Sequence, residues 1–131
     1  MGLFGNLFGS DDKEDKKEEK NIPWVPLISL EQLDEIERKS LSKPQLIFKH
    51  STTCGISRMV INMFKENYPF SESQVDLYYL DLHAYRNVSD ETGYKFQVMH
   101  QSPQLLVIKN GTAVAHASHG AITEMELLKY V

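Results

Sequence analysis

From Ile22 onward the chain alternates between stretches patterned as strands and stretches patterned as helices, and this alternation constrains the fold more than any other feature. Trp24-Val25-Pro26-Leu27 is a short extended segment. Ser29 opens a helix with Gln32 as the other half of a capping box, and Leu30, Leu33 and Ile36 are its expected buried stripe. After Lys43-Pro44, residues 45–50 (Gln-Leu-Ile-Phe-Lys-His) read as a buried strand. A polar turn, Ser51-Thr52-Thr53, leads into a helix whose apolar residues Ile56, Met59, Val60, Met63 and Phe64 recur at helical spacing until Tyr68-Pro69 stops it. Val75 to Leu82 predicts a strand, and Asn87 to Phe96 a weaker helix with Gly93 inside it. Asn110-Gly111, between the apolar runs 104–109 and 112–117, is the strongest short-range signal for an antiparallel hairpin. A last helix, capped by Thr123 and Glu126, is expected to bury Ile122, Met125, Leu127 and Leu128. The chain is therefore α/β, with no internal repeat.

With 131 residues it is long enough for one domain with one modest core. A net charge of −4 and a pI near 5.7 exclude a protein that holds nucleic acid by neutralising phosphates. Residues 11–20 are all charged, six acids against four lysines, and like charges fall four apart at Lys13/Lys17, Glu14/Glu18, Asp15/Glu19 and Lys16/Lys20. Such spacing opposes a helix, so residues 1–21 are expected to be a disordered charged tail preceding a folded domain over 22–131. Leu3, Phe4, Leu7 and Phe8 could make a small apolar knob for a partner or a membrane surface, against the plainer reading of a tail with no role of its own. The opening segment is too short and lacks the basic residues of a secretory signal, and Asn6 stands where a myristoylation motif needs Ser or Thr. Cytoplasmic residence without membrane insertion is expected, and with it a reduced thiol.

One cysteine, Cys54, excludes an internal disulfide and a cysteine-built structural zinc site; no metal site is expected. Most free cysteines are small core residues. Cys54 instead follows three hydroxyl residues and precedes Gly55, at a polar strand-to-helix turn rather than in an apolar stripe. There the unpaired N–H groups and the positive end of the helix favour the thiolate, the form that attacks disulfides. Ser57, three residues on, is expected to present its backbone N–H and hydroxyl to the same sulfur, and serine cannot serve as a second thiol. Any disulfide made by Cys54 is thus with another molecule and is resolved by another thiol.

Residues 48–57 (Phe-Lys-His-Ser-Thr-Thr-Cys-Gly-Ile-Ser), followed by 98–104 (Val-Met-His-Gln-Ser-Pro-Gln) and Asn110-Gly111, resemble the monothiol bacilliredoxins, the YtxJ-like general stress proteins. The resemblance spans roughly residues 22–131, with Gly55 where that family usually has proline. It implies a thioredoxin-like fold: a central mixed sheet of four to five strands with helices on both faces. It also implies a monothiol oxidoreductase in which Cys54 attacks the mixed disulfide between a client protein and bacillithiol, releases the client thiol and carries the bacillithiol. Bacillithiol would be a co-substrate, nothing would be tightly bound, and a monomer is expected. Pro103 would be the cis-proline facing the thiol, with the backbone of Ser102 left to pair with substrate.

Thr52 and Thr53 are candidates for hydrogen bonds to the incoming group, with helix capping as the alternative. His50 and His100 are candidates to assist the sulfur, although lone histidines are more often surface residues. His116 and His119 fall on opposite faces of an extended chain, a weak metal pair. Two further readings compete with the enzyme. Cys54-Gly55-Ile56-Ser57 also resembles the motif of monothiol glutaredoxins that share an iron–sulfur cluster between protomers, although His119-Gly120-Ala121 stands in place of their double glycine. The other is a non-catalytic thioredoxin-fold binding module anchored by its tail.

Overall fold

The computed structural model describes residues 21–131; the charged tail expected over 1–21, with its apolar knob, lies outside the described residues except for Asn21. Five strands, β1 (Trp24–Pro26), β2 (Gln45–His50), β3 (Asp76–Asp81), β4 (Gln104–Lys109) and β5 (Thr112–Ser118), form one sheet in the order β1-β3-β2-β4-β5. β1, β3 and β2 run parallel, whereas β4 is antiparallel to both β2 and β5, so the sheet is mixed. The two parallel crossovers are α1 (Leu30–Lys39) with its capping box and α2 (Gly55–Asn67); α3 (Arg86–Phe96) connects the parallel half to the hairpin. The hairpin turns at Asn110 and Gly111, both at positive φ as a tight primed turn requires.

Strand alternation divides the central strands between two cores. Leu46, Phe48, Leu77, Leu105 and Val107 meet Val60, Ile61 and Phe64 of α2 on one face. Ile47, Leu80, Leu106 and Ile108 meet Leu33 and Ile36 of α1 and Val88 and Phe96 of α3 on the other. Helices therefore cover both faces, and β2, buried along its whole length, is the shared wall. α3 ends where Gln97 turns left-handed; a Cβ on Gly93 would stand 2.8 Å from the Val98 carbonyl, so only glycine admits this close return.

Three sequence expectations are corrected. On α2 the packed stripe is Ser57, Val60, Ile61 and Phe64, while Ile56, Met59 and Met63 are exposed. Both sets have helical spacing, and contact with the sheet selects the one that carries Phe64, whose ring lies 5.1 Å from that of Phe48. On α1, Leu30 is likewise exposed. The expected final helix is two short 3₁₀ turns, His119–Glu124 and Leu127–Tyr130, because Met125 between them is extended. Thr123 donates back to the Gly120 carbonyl instead of capping, and Leu128 is 72% exposed. Among the described residues no helix is long and apolar enough to cross a membrane.

Candidate active site

The site lies where β2 ends. His50 closes the strand, residues 51–53 turn, and Cys54, extended at φ −108° and ψ 124°, is the N-cap of α2, with its carbonyl accepting from the Arg58 N–H at 3.1 Å. The thiol is free and half-buried, where the helix-terminal N–H groups converge. β4 begins beside the same end of β2: Lys49 is in register with Gln104, and one further step brings His50 level with Pro103. The Ser102–Pro103 peptide is cis, and the Pro103 carbonyl accepts from the His119 N–H at 2.9 Å. Cys54, Gly55, Ser102 and Pro103 are thereby gathered at one end of the sheet.

Ser57 is fully buried and its hydroxyl is turned away from the role expected of it. Its Oγ accepts from the Ser51 N–H at 3.0 Å and lies 2.8 Å from His50 Nδ1, and Cys54 makes no side-chain capping bond. Ser57 thus fastens the turn preceding the thiol to the helix following it. Thr52 and Thr53 are exposed and neither caps α2, because Cys54 takes that position. Thr53 Oγ1 is 3.2 Å and Ser51 Oγ 2.8 Å from His83 Nε2. His83, absent from the sequence reading, reaches the site because β3 runs parallel to β2 and ends beside it.

Two histidines and a lysine complete the surroundings. Burial pushes His50 below its ordinary value, Asp81 opposes this, and Arg58 and Lys65 add to it. The uncharged imidazole is thereby favoured, and its Nδ1 supports Ser57. Lys49, wholly buried on the other face of β2, has its Nζ 3.3 Å from His100 Nδ1 in the segment leading to Pro103. Burial lowers Lys49 to about 8 against the opposing field of Asp90, and lowers His100 with help from Lys49 and Arg86. A lysine directly after the apolar run Leu46-Ile47-Phe48, in a strand read as buried, is the sequence signal for this contact. Among the described residues no group of three or more His, Cys, Asp or Glu is placed to hold a metal, and His116 and His119 belong to no such group.

Gly55 is the first helical residue, a Cβ there meets nothing within 4 Å, and Cys54 already has the extended conformation preferred before proline. Gly55→Pro is accordingly expected to raise stability by about 0.5–1 kcal/mol, through the unfolded chain, as a higher urea midpoint at unchanged slope.

A chain with a single thiol can exchange disulfides only with other molecules, and a helix N-cap next to a cis-proline is where the thioredoxin fold performs that exchange; the class is a thioredoxin-fold thiol–disulfide oxidoreductase of the monothiol type. A solved structure described as a candidate oxidoreductase with a thioredoxin fold is 31% identical, with a TM-score of 0.69 over 82% of this chain and 92% of that one. Thioredoxins from Schistosoma mansoni (21% identical, TM-score 0.63, 84% and 100% covered) and Malassezia sympodialis (16%, 0.64, 83% and 89%) share the fold. The model of the monothiol bacilliredoxin BrxC family matches residues 25–127, and the chain belongs to that family.

Proposed function

We propose that the protein removes bacillithiol from mixed disulfides on client proteins, with Cys54 as the nucleophile. The thiolate of Cys54 attacks the bacillithiol sulfur, a new S–S bond forms as the client–bacillithiol bond breaks, and the client sulfur leaves as a thiolate that takes a proton from solvent. A second small thiol then attacks the same bacillithiol sulfur and returns Cys54 as thiolate, so electrons balance with no external oxidant. The observation that carries this reading is the position of the only thiol: half-exposed, at the N-cap of α2, beside Ser102 and Pro103. The exposed Ile56 and Met59 next to it offer an apolar rim suited to a protein client.

Diamide oxidation in the presence of bacillithiol should add one bacillithiol to the intact protein, and the Cys54→Ser variant should gain none. The wild-type adduct should disappear on addition of free thiol. An unmodified wild-type mass would overturn the proposal.

A further inference from the structure

We propose that the cleft between β1, β3 and α2 is a subsite for the carboxylate groups of the small thiol that Cys54 exchanges, held by Arg58, Lys65 and His50 against the rings of Trp24 and Tyr79. The inference rests on the monothiol reading for its substrate, but its geometry is independent of it. The cleft is open, has a volume of about 370 Å³, and is lined by these five residues with Ile61 and Asn62. That volume falls within the range of small-molecule sites.

Its charge is unbalanced. Arg58, Asn62 and Lys65 stand on one face of α2 at i, i+4 and i+7, and among the described residues neither cation has a carboxylate at ion-pair distance, although Lys65 is half-buried. His50 lies between them, its Nδ1 committed to Ser57 and its ring 5.7 Å from that of Tyr79. The one acid that opposes this on His50 is Asp81, whose Oδ1 accepts from the N–H groups of His83 and Ala84. Arg58 and Lys65 both act against a charge on the His50 ring between them, and a bound anion would offset that field. The Trp24 and Tyr79 rings, 5.6 Å apart and edge to face, give the cleft an apolar wall, which suits an organic anion better than a bare inorganic ion.

The cleft is also within reach of the thiol. Arg58 is four residues after Cys54, about 6 Å along the helix axis. A molecule with a sulfur at one end and carboxylates at the other can therefore span both.

Trp24 is the only tryptophan, so binding can be read without any thiol chemistry. Malate titrated into the full-length Cys54→Ser protein should change Trp24 fluorescence saturably, and adding Arg58→Gln and Lys65→Gln should weaken that response at least tenfold. An absent response, or one undiminished in the charge variants, overturns the inference. In the second arm, the rate of Cys54 modification by bacillithiol disulfide is divided by the rate with neutral 2-hydroxyethyl disulfide. That ratio should fall about tenfold in the Arg58→Gln/Lys65→Gln protein and also fall with added salt in wild type; an unmoved ratio overturns it. If Cys54 reacts with neither disulfide, the proposed function fails, while the malate titration still decides the cleft.

Discussion

Ser57→Cys should convert the protein from one that accumulates a mixed disulfide into one that cannot. Residue 57 is one helical turn beyond Cys54, a separation whose Cα–Cα distance of roughly 5–6 Å lies inside the disulfide range. The Ser57 hydroxyl is fully buried, so a sulfur there is desolvated and is a weak attacker of incoming disulfides, whereas Cys54 is half-exposed at the helix end. Cys54 would still attack the incoming disulfide first, and the thiol at residue 57 would then attack Cys54 Sγ and displace the bound thiol at very high effective concentration. The expected result is an adduct that decays at least a hundredfold faster than in wild type and leaves a protein lighter by two hydrogens. Time-resolved intact mass after quenching checks it, and a persistent adduct without that loss would refute the geometry. The hydroxyl's bonds to Ser51 and His50 are weakened by the exchange, so a stability loss of about 1 kcal/mol should accompany it.

What was legible in the sequence was local. Asn110-Gly111 encodes its own hairpin through backbone conformation, residues 45–50 with Leu-Ile-Phe at their centre encode a strand buried on both faces, and a thiol after three hydroxyl residues marks a strand-to-helix turn. The cis bond at Pro103 followed from family resemblance, since no local property of Ser102 distinguishes it. What was hidden depends on partners distant in sequence. α2 carries two apolar stripes, and only the sheet beneath it decides that Phe64 and Val60 go in while Met59 and Met63 stay out. His83 meets Ser51 across 32 residues and Lys49 meets His100 across 51, contacts created by strand order that no periodicity encodes. Helix spacing alone points the Ser57 hydroxyl at the sulfur; the buried imidazole of His50 competes for it and holds it.

Lys49→Met should make the protein more stable. The lysine is fully buried among the second core's residues, and Nζ has one hydrogen-bond partner among the described residues, His100 Nδ1. An ammonium there gives up most of its hydration for a single bond, which is why its pKa falls from 10.5 to about 8. Because the folded pKa is below the unfolded one, the native state binds fewer protons between those values. Stability is therefore reduced by the full penalty below pH 8 and recovers as the pH rises from about 8 to about 10.5. The shift corresponds to about 3 kcal/mol. Methionine keeps a similar unbranched chain without the charge, so a gain of about 1–3 kcal/mol at pH 7 is expected, with the alkaline rise abolished. Urea midpoints of both proteins at pH 7 and pH 10 test this, and parallel pH profiles would show that Nζ is hydrated. A charge retained at such a cost, hydrogen-bonded to the segment that delivers Ser102 and Pro103 to the thiol, is the pattern expected where stability is given up to position a site.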